Sequence, residues 1–254
     1  MNIENYPTLV MNRSHDKVSD RYCFFSTKQI IEVLEERNWL PSQIYQSGTR
    51  MPENHGFQKH LIRFSNPDHQ DRGDRPEIVL INSHMGNAAL KLMLGYFRFV
   101  CGNGLIVGEK AADCKIRHIG YTAEGVRESL EHIVSLLPQL TSSVERFKGI
   151  ELTRDEEEAY GEAAIGMAFD GEKYVVDPRD VIRSRRIEDR SCDLWTTFNR
   201  TQENLIKGGI GRRSKDGKRR RTTAVKSVDE NVRLNRALWS LTEKMAELKT
   251  TAMR

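Results

Sequence analysis

Residues Asn82–Gly108 read NSHMGNAALKLMLGYFRFVCGNGLIVG. Between Leu90 and Cys101 the apolar residues fall into two alternating sets. Leu90, Leu92, Leu94, Tyr96 and Val100 form one; Met93, Phe97, Phe99 and Cys101 form the other. Successive strand residues point to opposite faces, so this pattern predicts a strand buried on both sides. Asn82-Ser83-His84, Gly86-Asn87 and Gly102-Asn103-Gly104 bracket it. Glycine and asparagine tolerate positive φ, and these clusters mark sharp reversals. The stretch reads as a central core strand with its turns. The alternative, in which the NSH and CGNG turns face a ligand, stays open.

Working outward, Arg21–Phe25 reads as a short strand entering a helix over Thr27–Asn38, with Ser26 as cap and Gln29 reaching back. Gln58–Ser65 and Pro76–Asn82 read as strands, as do Gly104–Gly108 and Lys115–Tyr121 beyond the long one. After Thr122 the period becomes helical. Glu124–Pro138 carries an apolar stripe that Pro138 should kink or interrupt. Thr153, followed by three carboxylates, should start a helix running to about Phe169. Asp177-Pro178 opens a short helix, Ser191 caps a longer one ending at Gly208-Gly209, and Asp229–Lys249 is amphipathic. The expected fold is α+β, an antiparallel sheet with a packed helix followed by a helical carboxyl-terminal half. The expected divisions are a sheet core over 1–122, helices over 123–209, a flexible basic loop over 210–223 and a terminal helix over 224–254.

A chain of 254 residues buries a sizeable core. The four cysteines are widely spaced, and no pair has CxxC spacing, which favours reduced structural thiols. No apolar run is long enough for a membrane span and no leader pattern opens the chain, so a cytoplasmic protein is expected. The net charge of +4 is unevenly held. Lys207–Lys226 contains nine basic residues and one acid, a local +8 that leaves −4 for the rest.

Four chemistries come into question. His84, His118 and Cys114 lack the spacing of a metal site, and His84 reads as a hydrogen-bonded structural histidine. No phosphate-cradling GxxxxGK[ST] or GxGxxG sequence is present, so neither metal nor nucleotide cofactor is expected. Ser83 and His84 are neighbours that point apart, and Cys101 lies in an apolar strand, so neither supplies an obvious nucleophile. The fourth chemistry is nucleic-acid binding. GRRSKDGKRRRTT over 211–223 holds seven cations in a polar setting, and such residues neutralise phosphates and release counterions. The candidate binding residues are Lys207, Arg212, Arg213, Lys215, Lys218, Arg219, Arg220 and Arg221, with Arg183, Arg185 and Arg186 as a second run.

The Asn-Ser-His turn, the long strand and its Arg-Phe-Val-Cys-Gly-Asn-Gly exit, LWTTFNRTQENLIKGG over Leu194–Gly209 and VRLNRALWSL over Val232–Leu241 together resemble the phage- and plasmid-borne proteins grouped as domain of unknown function 932. The resemblance implies a mobile-element setting. More distantly, a helix-plus-antiparallel-sheet core with a basic arm is similar in outline to phage single-strand annealing proteins of the RecT, Erf and Rad-fifty-two-like classes. That analogy implies an ATP-independent protein that coats single-stranded DNA and pairs complementary strands as a homo-oligomer, beside host or element recombination proteins. The other reading, from a different class, is a protein-binding anti-defence or regulatory factor. A nuclease ranks third, since no metal-carboxylate cluster is recognisable.

Overall fold

The computed structural model describes residues 3–69, 74–98, 113–116, 123–169, 174–214 and 217–252. They group into two compact units, one ending at Pro138 and the other continuing from Gln139. The fold is α+β.

The first unit begins with α1 (Pro7–Val10) and α2 (Thr27–Glu35). Ser26 caps α2 by accepting from the Gln29 amide, as its spacing predicts. Five strands follow: β1 (Leu40–Gln46), β2 (His60–Ser65), β3 (Asp74–Asn82), β4 (Leu90–Arg98) and β5 (Asp113–Ile116). They pair in chain order, each antiparallel to the next, and α3 (Ala123–Ser135) packs on β4 and β5. Ile62, Leu80 and Leu92 stand in one cross-strand row, with Phe64, Ile78 and Leu94 in another. All six are buried, and Val79, Ile81 and Met93 on the opposite face are buried as well. The long apolar strand is therefore covered on both faces, as its alternating sets predict.

One local expectation does not hold, and one strand was not expected. Arg21–Phe25 forms no strand; its Tyr22 hydroxyl donates to the Ser83 carbonyl, and the Phe25 carbonyl accepts from Asn82. Leu40–Gln46, not foreseen, is the edge strand. Pro41 has no amide to donate, and the register shifts between Pro41 and Gln43, which an edge with a bulge tolerates. Glu77, wholly buried, accepts from Arg63 at 2.5 Å and Arg75 at 2.9 Å. Burial pushes the Arg63 pKa down, against the pull of Glu77. The RFVCGNG exit beyond Arg98 and the Gly104–Gly108 strand lie outside the described residues, as does most of Lys115–Tyr121.

The second unit is mainly helical: α4 (Leu137–Lys148), α5 (Arg154–Ala168), α6 (Pro178–Val181), α7 (Leu194–Lys207) and α8 (Val228–Ala252). Pro138 lies at the second position of α4, so the chain breaks where the proline predicts. Thr153 and Glu156 form a reciprocal capping box on α5. The cap of α7 is Asp193, whose carboxylate accepts from the Thr196 amide at 2.7 Å; the Ser191 cap is not the one used. On α8 the residues Val232, Leu234, Leu238 and Trp239 are buried, with the Trp239 ring against Phe147 and Phe198.

Every residue from Leu194 to Ile206 of α7 is buried, six consecutive polar ones included. Each finds partners. Asn204 donates to the carbonyls of Val181 and Arg183, Gln202 to Asn235, and Arg200 to Glu157 and Thr197. Buried polar groups are tolerable only when bonded in this way.

Candidate nucleic-acid interface

The basic segment departs from the flexible loop its composition predicts. Gly211–Ser214 is a strand, β7, and Arg219–Arg221 another, β8. The Ser214 amide donates to the Lys218 carbonyl, the Gly217 amide donates to the Ser214 carbonyl, and Gly217 takes φ +79°, a left-handed conformation that glycine adopts without strain where the hairpin closes. A third strand, β6 (Tyr174–Val176), pairs with β7 from the other side. Ladder bonds thus satisfy backbone groups that a free loop would leave to water.

Strand pairing sorts the arginines between two faces, because directly opposed residues share a face and neighbours alternate. Arg213 opposes both Arg219 and Val175, and Arg221 opposes Gly211. One face therefore carries Val175, Arg213, Arg219 and Arg221, all exposed, Val175 by 67%. The other carries buried Val176, half-buried Arg212 and exposed Arg220. Lys218 is exposed at the turn, and Lys215 lies outside the described residues. The Arg213 and Arg219 side chains meet no acceptor among the described residues, whereas Arg221 reaches the Gly209 carbonyl at 3.5 Å. Like charges set directly across a ladder repel. Long stems let the guanidinium groups splay into water, so the face folds without a ligand, yet an anion between them removes the repulsion.

The remaining candidates divide differently. Arg186 donates to Asp189 at 2.7 Å and to Glu203, and Lys207 reaches Glu203 at 2.6 Å. Glu203 is buried, which pushes its pKa up, but the bonds from Lys207 and Arg186 outweigh burial and hold the carboxyl below its usual value. Arg185 donates to the Asn204 side chain and to the Gly208 carbonyl. These three cations are engaged by the protein itself. Arg183 is exposed, and its carbonyl is held by Asn204. Sequence reasoning missed Val175 and the partition between faces. Asp216-Gly217 was an available hairpin signal, hidden because arginines and not apolar residues flank it.

The attachment of this sheet is specific. Gly208 and Gly209 both have positive φ, and the Gly209 amide donates to the Thr222 carbonyl. A Cβ on Gly208 would lie 2.6 Å from the Thr223 carbonyl carbon, so only glycine lets the two chains cross there. The hairpin is thereby welded to the end of α7.

The family described as Domain of unknown function (DUF932) matches residues 14–239, most of the chain. This protein belongs to that family. Two curated relatives from Escherichia coli (strain K12), the UPF0380 proteins YfjQ and YafZ, are each 32% identical to it over 237 residues, covering 93% of this chain and 87% of theirs. No solved structure matches it. The DUF932 match takes in the NSH turn, α7 and the whole basic sheet.

In this DUF932 protein the NSH turn is internal. Asn82, Ser83 and His84 are all fully buried. His60 Nδ1 lies 3.0 Å from the Gln58 carbonyl, an acceptor, so Nδ1 holds the proton and Nε2 accepts from the Thr27 hydroxyl at 2.9 Å. His84 Nε2 likewise donates to the Thr8 carbonyl at 2.9 Å. Ser83 Oγ donates to Asn87 at 2.6 Å. Burial lowers the His60 pKa to about 3, the Gln58 carbonyl acting against it and His84 with it. The structural reading of His84 is therefore correct. Among the described residues no three His, Cys, Asp or Glu side chains gather as a metal site, and no helix is long and apolar enough to cross a membrane.

Proposed function

We propose that this protein binds single-stranded DNA through the exposed face of its small sheet, as an ATP-independent strand-annealing protein of a phage or plasmid acting in the bacterial cytoplasm. The observation behind this reading is the opposition of Arg213 and Arg219, with Arg221 on the same face and no acceptor for the first two among the described residues. Such a face takes phosphates irrespective of sequence and leaves bases free to pair. A track of three arginines is short, so annealing calls for several subunits side by side, a homo-oligomer.

The test is a fluorescence anisotropy titration of a labelled oligo-dT across salt concentrations. Three phosphate contacts give a slope of about −2 in log affinity against log salt, at ~0.7 per contact for single strands. Replacing Arg213, Arg219 and Arg221 together by Ala should weaken binding at least about tenfold and flatten that slope, without lowering the melting temperature. Binding unaltered by the triple change, or no binding by the wild-type protein, overturns the reading and favours a protein-binding role.

A further inference from the structure

Gly211 opens β7, and its missing side chain would point to the same face as Arg213 and Arg221. That direction leads to an acid. A Cβ built on Gly211 would lie 3.5 Å from the Asp180 Oδ2 atom. Asp180 belongs to α6, and α6 is held firmly. From α5, a Cβ at Gly161 would come within 3.0 Å of the Pro178 carbonyl oxygen and 2.9 Å of Ile182, so helix and turn are in close contact there. From α7, Asn204 ties down the Val181 and Arg183 carbonyls at 2.7 and 2.8 Å. The neighbouring cation on α6, Arg179, is gripped by both carboxylate oxygens of Asp177. The hairpin itself springs from α7 through Gly208 and Gly209. One buried helix therefore fixes both the carboxylate and the arginines.

We propose that Asp180 is the boundary of the phosphate track. Resting on the nucleic-acid reading above, this runs the strand along Arg213, Arg219 and Arg221 and keeps its phosphates off Gly211 itself, the position across the ladder from Arg221. A carboxylate at that border repels a phosphate and tempers the grip of Arg221, which stands directly across from Gly211. A strand held less tightly can be exchanged for its complement, which annealing requires.

The experiment titrates labelled oligo-dT with the wild-type chain, Asp180→Asn, Arg221→Ala and the double variant, at low and high salt. Asp180→Asn should tighten binding by about three- to tenfold at low salt, a surface-charge effect that shrinks as salt rises. In the Arg221→Ala background the gain should fall by at least half, because the acid acts through that arginine. Wild-type binding with no gain from Asp180→Asn overturns the boundary and leaves the nucleic-acid reading intact. An equal gain in both backgrounds also overturns it, since net charge alone would then account for the effect. Absence of wild-type binding at either salt overturns both.

Discussion

Arginines that look alike in the sequence differ in what surrounds them. Arg213 ends in solvent, and Arg213→Ala should change stability by no more than about 0.5 kcal/mol. Arg186 neutralises Asp189 and Glu203, each almost fully buried. Arg186→Ala leaves those carboxylates short of a partner and should cost about 3–5 kcal/mol, read as a lower denaturant midpoint. Equal stability losses from the two substitutions would contradict this division. His60 adds a pH dependence. Its folded pKa of about 3 is below the ordinary 6.5, so below pH 6.5 the unfolded chain takes up a proton that the folded chain refuses. This contribution is constant above about pH 6.5 and erodes as pH falls from there toward 3, by about 1.4 kcal/mol per pH unit at most. Melting temperatures of wild type and His60→Gln from pH 7.5 to 4.5 check it: the variant should start lower and lose about one proton of the acid slope.

At the scale of elements, the junction between α7 and the hairpin is the critical point. Gly208 combines φ +67° with a Cβ direction blocked by the Thr223 backbone. Gly208→Ala should therefore destabilise by at least the ~1–3 kcal/mol of a strained backbone position, and hydrogen exchange should quicken at Gly209 and Thr222, whose amides close the ladder. Gly209 also has positive φ but nothing within 4 Å of its missing Cβ, so Gly209→Ala should cost less. Equal effects at the two glycines would argue against a tight crossing. The α7 helix stands where its end signals place it, but its burial follows no sequence period. Its polar residues are as buried as its apolar ones because neighbouring elements supply the partners, and a sequence pattern that equates polar with exposed cannot see them.

For the whole molecule, the oligomer that annealing needs is the quantity to measure. Multi-angle light scattering at micromolar concentration, with and without oligo-dT, should show more than one chain per particle. A strict monomer in both conditions would remove the annealing reading while leaving simple strand binding possible. The apolar side of α8 adds nothing to that argument: Trp239 and Leu238 are buried in the second unit, and α5 and α7 pack against the helix.

What the sequence determined by itself was local and periodic. The two-sided apolar pattern of Leu90–Tyr96 can be satisfied only by a strand covered on both faces, the Ser26 and Thr153 caps follow from side-chain reach, and the Pro138 break follows from a missing amide. DUF932 membership was legible for the same reason, through motifs contiguous along the chain. The candidate site was legible only as a charge run. Whether a given cation faces solvent or a buried carboxylate depends on residues far away in sequence: Glu203 claims Arg186 and Lys207, Asn204 claims Arg185, and β6 brings Val175 beside Arg213. Pairing across strands divided the remaining arginines between two faces, and the packing of α6 brought Asp180 beside Gly211. Those choices are long-range, made by packing and ladder register, and no local pattern encodes them.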